Sequence, residues 1–278
     1  MPGIQVLTDS ACDLPDALID QHGIDVVPLT IRFGDEEFVD RADLTPTQFW
    51  AKCASSPAHP ETAAPSPGAF QERFLAASDA GREGVICINL SSSLSGTYQS
   101  ACAAAAAVSD RIPVQVVDSR SITMGQGTLV LAAAKSAESG AALDQIVAAV
   151  EELVPRVHVF GALDSLEHIK KGGRIGGAQA LVGSLLSIKP IIEIANGSVE
   201  AESKQRTRSR SLSYLIEAVR RYPAKHSLAV IHGDAPDIGE FLSMIRESFP
   251  DDEVIVSAMG AVIGTHAGPR TMGVSLIE

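Results

Sequence analysis

The sequence predicts an α/β protein built from two units, and three observations carry that expectation. Strand-like and helix-like segments alternate along the chain. Clusters of Gly, Ser and Thr fall just after predicted strands, where open α/β sheets bind their ligands. A shift in composition near Pro155 then separates an N-terminal α/β domain, residues 1–155, from a C-terminal α/β domain, residues 156–278. A chain of 278 residues is long enough to give each unit a core.

Taken in order, Ile4–Leu7 is a short buried strand leading into the loop Thr8-Asp9-Ser10. Asp13-Leu14-Pro15 opens a helix with Asp13 as N-cap, and Gly23 closes it. Asp25–Phe33 is strand-like, and Thr45-Pro46-Thr47 and Ser66-Pro67-Gly68 are two more helix starts. Gly84–Leu90 predicts a strand, Gly96–Val108 an alanine-rich helix, Pro113–Val117 a strand, and Gln126–Ala137 and Leu143–Leu153 helices. Beyond Pro155, Val157–Leu163 is strand-like, and the basic, glycine-rich stretch 170–177 is a connector before a helix over Ala178–Leu186. Ile188–Ile194, Asn196-Gly197 and Ser198–Ser203 read as a hairpin, since Asn-Gly suits a type I′ turn. A helix, a strand (Leu228–His232), a helix (Ile238–Phe249) and strands at Glu253–Ser257 and Val274–Ile277 complete the chain.

Bulk composition excludes several functions. Lys and Arg number 22 against 34 Asp and Glu, a net charge of −12 that repels phosphate backbones and anionic headgroups, so no nucleic-acid partner is expected. The N-terminus has neither a basic region nor a long apolar run, and no stretch is apolar enough to cross a bilayer, so a cytoplasmic location is expected. Cys12, Cys53, Cys87 and Cys102 show no C-x-x-C pair, and the histidines show no ligand spacing, so reduced thiols and no metal are expected. Aromatic residues are only 4% of the chain, so the core must be made of slender Ala, Val, Leu and Ile, which leave room for narrow channels.

Four hydroxyl- and glycine-rich places could hold a ligand: 62–68, 91–97, 171–174 and 260–268. At the second, a strand, a serine loop and a helix starting at Gly96 put free N–H groups at a positive helix end, either an anion site or a plain cap by Ser95. Thr62 precedes a Pro-led helix and is either a cap or a site residue, and Lys171 and Arg174 are either loop charges or ligands. His266, set among Gly264 and Gly268, lines a concave surface or serves the core. A P-loop, a third glycine after Gly125-Gln126-Gly127, a G-x-S-x-G elbow and an H-E-x-x-H run are all missing from the sequence. The basic stretch Lys204, Arg206, Arg208 and Arg210 is either a solvated arm or a docking surface.

Seven motifs then occur in order: Thr8-Asp9-Ser10, Thr62 with Pro65-Ser66-Pro67-Gly68, Leu94 to Ala101, Val117-Asp118-Ser119, Lys171 to Ile175, Ile188-Lys189-Pro190-Ile191, and Gly264 to Pro269. Together they resemble the DegV family across nearly the whole chain. Members commonly carry Ser-Gln where this chain has Ala63-Ala64, and often Gly where it has Arg270; the first difference removes a hydroxyl beside Thr62. The resemblance implies two α/β domains with one long-chain fatty acid, such as palmitate, buried between them. It also implies a binding subunit, with no catalysis or cofactor of its own, that serves a separate ATP-dependent fatty-acid kinase making the acyl phosphate. Carried over by motif, Thr62 and Ser95 hydrogen-bond the carboxylate beside Gly96, with Arg174 and His266 in the network behind. Two other readings stay open: a stand-alone hydrolase using Ser95 with His266, and a regulatory module that senses lipid.

Overall fold

The structure, a computed structural model, describes residues 3–182 and 188–278. The N-terminal part begins with β1 (Ile4–Asp9), a 3-10 turn, α1 (Asp16–Gln21), and the strands β2 (Asp25–Val27), β3 (Thr30–Phe33) and β4 (Glu36–Val39). It continues through α2 (Pro46–Ser55), β5 (Pro60–Ala63), α3 (Pro67–Asp79), β6 (Gly84–Asn89), α4 (Thr97–Ala107), β7 (Val114–Asp118), α5 (Thr123–Glu138) and α6 (Leu143–Leu153). The rest comprises β8 (Val157–Ala162), α7 (Glu167–Lys171), a 3-10 helix over Gly176–Leu181, and the hairpin of β9 (Lys189–Ala195) and β10 (Ser198–Gln205). It ends with α8 (Arg208–Arg220), β11 (Ser227–His232), α9 (Ile238–Ser248), β12 (Val254–Ala258), α10 (Ala261–Ala267) and β13 (Met272–Ile277). No described helix is long and apolar enough to cross a membrane.

The described residues form three sheets. A parallel sheet has the order β2-β1-β6-β7, a small antiparallel sheet the order β4-β3-β5, and a six-stranded sheet the order β10-β9-β8-β13-β11-β12, parallel only between β11 and β12. β6 is buried on both faces, as a parallel strand between helices must be. Val85 and Cys87 point to Phe70, Phe74, Ala101 and Ala104, while Ile86 and Ile88 point to Leu129 and Ile146. Between the parallel and the six-stranded sheet runs α5, apolar on nearly every side. A Cβ at Gly125 would lie 2.5 Å from Val159 Cγ2, and one at Gly127 2.8 Å from the carbonyl oxygen of Cys12, so close packing accounts for both glycines.

Local chemistry explains the element ends. Thr45 and Gln48 form a reciprocal capping box on α2, Ser66 caps α3 with Pro67 behind it, and Thr207 caps α8. Asn196 and Gly197 both take positive φ (53° and 82°), as a two-residue hairpin turn demands. Several expectations are corrected. Asp13 does not cap α1, whose N-cap is Pro15; it adopts φ 49°, and its carboxylate accepts bonds from Thr123 Oγ1 (2.6 Å) and Gly260 N–H (2.9 Å). Asp25–Phe33 is two strands in two different sheets, because Leu29 carries the chain from one to the other. The end of the helix expected over Ala178–Leu186 lies outside the described residues, and its start is 3-10 rather than α. The glycine-rich segment after Gly260 is a helix, α10, and part of the 170–177 connector belongs to α7.

Burial pushes the Asp13 carboxyl up to about 7, against the lowering effect of its bonds to Thr123 and Gly260. A carboxyl raised on folding stabilises the fold at low pH, and that contribution is lost as pH climbs through the folded value. Asp13→Asn keeps a similar shape without the charge. Its melting temperature is therefore expected to gain on that of the wild type from about pH 4 to about pH 7 and to level off above that. A gap between the two that does not change with pH in thermal melts would show that Asp13 does not titrate in this range.

Candidate functional site

The residues singled out by sequence come from four distant elements. Thr62 lies on β5, not in the helix-leading loop expected for it, and its register opposite Ile31 on β3 sets its direction. Ser95 ends the loop after β6. Buried Asp9 fixes the start of that loop by accepting from Leu90 N–H (2.9 Å) and Asn89 Nδ2 (3.0 Å). Asp118 takes the N–H of Ser92 (3.1 Å), and Ser91 Oγ donates to the carbonyl of Gly197 (2.6 Å), so the β9–β10 turn clasps the same loop. Arg174 follows α7, donating through Nε to the Leu94 carbonyl (3.2 Å) and through Nη1 to that of Gly172 (2.7 Å). His266 sits in the last turn of α10.

These positions converge. Thr62, Ser95, Gly96, Arg174 and His266 all line one cavity of about 760 Å³, its open mouth included. The other walls are apolar: Leu29, Ala64, Leu90, Leu94, Ile122, Ile169, Ile192, Val199, Val262, Ile263 and Ala267. No local signal in the sequence marks those residues, since they are ordinary core side chains until the fold brings them together. Ala64, one of the departures from the family pattern, leaves its part of the lip apolar. Lys171 is not among the lining residues; its Nζ pairs with Glu167 (2.6 Å). A second cavity, of about 380 Å³ with its open mouth included, adjoins the first and shares Ile122, Ile192, Ile263 and Ala267 with it. Its remaining walls include Val159, Phe160, Leu163, Ile231 and Met259, so it is almost wholly apolar.

His266 sets the electrostatics of the polar end. Thr62 Oγ1 lies 3.0 Å from its Nε2, and its Nδ1 is buried with no partner. Burial first, then the charge of Arg174 and the ring of His59, push the imidazole down to about 4, so it is neutral near pH 7. Gly172 makes room for it, because a Cβ there would lie 2.2 Å from Nδ1. Ser95 Oγ lies 2.9 Å from Thr97 Oγ1 and accepts the Thr97 N–H (3.3 Å), but the N-cap of α4 is Gly96, so Ser95 lines the cavity from just before the helix rather than capping it. A Ser-His-acid relay needs serine on one ring nitrogen and a carboxylate on the other. Here Thr62 occupies one and the other is unpartnered, so the hydrolase geometry is missing among the described residues. These residues could hold a carboxylate by hydroxyl, guanidinium and imidazole hydrogen bonds, while no described group of His, Cys, Asp and Glu is arranged to hold a metal ion.

Fold and cavity thus define an α/β protein with a narrow apolar pocket that ends in a polar head. Residues 3–278 match the sequence profile described as an uncharacterised protein of the DegV family. A DegV domain-containing protein of Streptomyces coelicolor is 36% identical over 275 residues, covering 98% of this chain and 97% of that one. The chain therefore belongs to the DegV family. Among solved structures it resembles one described as fatty-acid binding of a DegV family protein from Thermus thermophilus, with TM-score 0.89, 31% identity and 99% of each chain covered. It likewise resembles DegV from Bacillus subtilis, described as a fatty acid binding protein, with TM-score 0.90, 31% identity and 99% of each chain covered.

Because Arg174 contributes to the low value of His266, Arg174→Gln is expected to raise it. In an NMR titration of the lipid-free protein the His266 ring should begin to protonate at higher pH in the variant. An unchanged titration curve would mean that burial alone governs the ring.

Proposed function

We propose that the protein binds one long-chain fatty acid, with its carboxylate at Thr62, Ser95, Gly96, Arg174 and His266 and its chain in the apolar cavities. One observation carries the reading: among the described residues the only polar side chains lining the first cavity are those of Thr62, Ser95, Arg174 and His266, and four apolar residues join it to a second, apolar cavity. The DegV relatives described as fatty-acid binding support it. Each buried methylene contributes roughly 0.8 kcal/mol, so about fourteen give at most ~11 kcal/mol, against ~1.5–3 kcal/mol for each charge-assisted hydrogen bond. Chain burial then dominates affinity, and the polar end decides where the carboxylate points.

The finer part of the proposal is a cytoplasmic carrier of two domains meeting near Pro155, without catalysis or cofactor of its own. It hands its carboxylate to a separate fatty-acid kinase subunit. Phosphoryl transfer needs an attacking oxygen held in line, which suits an immobile carboxylate on a rigid scaffold. A docking face is available: Lys204, Arg206 and Arg210 are exposed and carry no ion pair among the described residues, whereas Arg208 is held by Asp237 (2.8 and 2.9 Å).

Mass spectrometry of lipid released from the native protein is expected to show one fatty acid per chain; lipid-free protein that takes up neither palmitate nor oleate would sink the proposal. Ala267 stands where the two cavities meet, so Ala267→Phe should weaken palmitate binding by about tenfold or more and octanoate binding by about twofold at most. Equal losses for both acids would place the chain elsewhere. Replacing Thr62 and Ser95 together by Ala should leave measurable fatty-acid binding but remove most kinase-dependent acyl-phosphate formation. Parallel losses would mean that these hydroxyls anchor the ligand rather than aim it.

A further inference from the structure

We propose that Gly161, beside Gly273 on the next strand, sets how long an acyl chain the protein accepts, because the tail of the chain lies there on bare backbone. The inference rests on reading the cavities as a fatty-acid site and adds the position that measures the chain. Its basis is a gap in the middle of a sheet. One row of residues crosses four strands: Ile192 on β9, Gly161 on β8, Gly273 on β13 and Ile231 on β11, each directly opposite the next. All four line the second cavity. Neighbouring strands run about 4.8 Å apart, so the two glycines leave a strip without side chains, two strands wide, between two isoleucines.

Backbone shape does not account for these glycines, since neither takes a positive φ. Close packing accounts for Gly273 in part, because a Cβ there would lie 3.1 Å from the Phe160 carbonyl oxygen. It does not account for Gly161, where a Cβ would meet only side chains at ordinary distances, Ile192 Cγ1 at 3.4 Å and Leu163 Cδ2 at 3.9 Å. Burial shows that the room above it is real. β8 is an interior strand with Val159, Phe160 and Ala162 buried, yet Gly161 among them is only partly buried. Phe160 and Ala162 face the core beneath α8, so Gly161, on the opposite face, opens into the second cavity. A glycine inside a strand weakens it, and such a position often marks close approach of another group to the backbone.

The group that approaches Gly161 is apolar. Leu163, Ile194, Met259 and Ile263 surround the strip, and the two hydroxyls in the wall are engaged elsewhere. Thr123 donates to Asp13, and Thr271 to the carbonyls of Ala267 and Gly268, so neither is left for a ligand. The strip lies beyond the four residues that join the cavities, on the side away from Thr62, Ser95, Arg174 and His266. A short acid with its carboxylate at those residues ends in the first cavity and never meets Gly161. A long one passes the join and lays its last carbons on the strip. A side chain at position 161 therefore takes space from long chains only.

The test measures palmitate and octanoate binding by calorimetry in the wild type, Gly161→Ala and Gly161→Val. Palmitate is expected to weaken by about fourfold in the alanine variant and about tenfold or more in the valine variant, and octanoate by about twofold at most in either. The lipid-free alanine variant should melt no lower than the wild type, since alanine is less costly than glycine inside a strand. Equal losses for the two acids, together with a lower melting temperature, would show that Gly161 serves the fold and would overturn the proposal. Unchanged palmitate binding in both variants would overturn it and leave the fatty-acid reading standing. Failure of the wild type to bind palmitate would remove that reading and this one with it. Should neither variant fold, methyl NMR of the wild type decides, because Ile231 lines the second cavity and not the first. Its δ1 methyl signal should shift with palmitate and stay in place with octanoate. The same shift with both acids, or no shift with palmitate, would overturn the proposal.

Discussion

The site depends on where one seven-residue helix, α10, is held. It supplies Val262, Ile263, His266 and Ala267 to the first cavity, and two of these also line the second. A helix this short has no stability of its own and must be fixed from outside. Asp13 accepts the N–H of Gly260 at 2.9 Å, Asp40 is placed to take that of Ala261, and the Asp13 carbonyl accepts from Ser257 Oγ just before the helix, so all three acceptors come from the N-terminal part of the chain. Phe49 and Trp50 press on its middle, where a Cβ on Gly264 would lie 2.7 Å from Phe49. The far end meets Thr62 through His266. Polar anchors at both ends and aromatic rings between them leave it little freedom to slide, so the head and the neck of the cavity keep a constant spacing.

Buried carboxylates as the anchors have a physical consequence. Asp13 and Asp40 are raised to about 7 and about 6 chiefly by burial. Asp40 also keeps Oδ2 without a partner. Hydrogen bonding at a helix start favours the charged form and burial opposes it, and here burial wins. The join between the two halves of the chain is thus sensitive to pH in a range where surface carboxylates no longer titrate.

How much of this was legible follows from the range of each interaction. Ser95 and Gly96 could be read because strand, hydroxyl loop and helix are contiguous, and the hairpin at Asn196-Gly197 could be read because turn chemistry is local. Asp13 looked like a cap because Asp-Leu-Pro is a common helix start, but its partners lie 110 and 247 residues away. β5 offers only Pro-Glu-Thr-Ala, with no alternation, and exists through its pairing with β3. α10 was hidden by its glycines, one of which is small so that aromatic rings can approach. Motif resemblance reached Thr62, Arg174 and His266 where local patterns left them ambiguous, and neither source could name the apolar walls.

Net charge is a poor guide to the potential at such a site. The chain carries −12, yet the carboxylates close to the mouth are already engaged, Glu61 by Arg32 and Glu167 by Lys171, while Arg174 faces carbonyls alone. At contact distance in a partly desolvated cavity these local pairings outweigh distant surface charge, which water and salt screen within about 10 Å. An acidic surface and an anion-accepting cleft are therefore compatible. The surface charge disfavours loose association with polyanions, while the cleft brings together a fixed guanidinium, hydroxyls and a neutral imidazole.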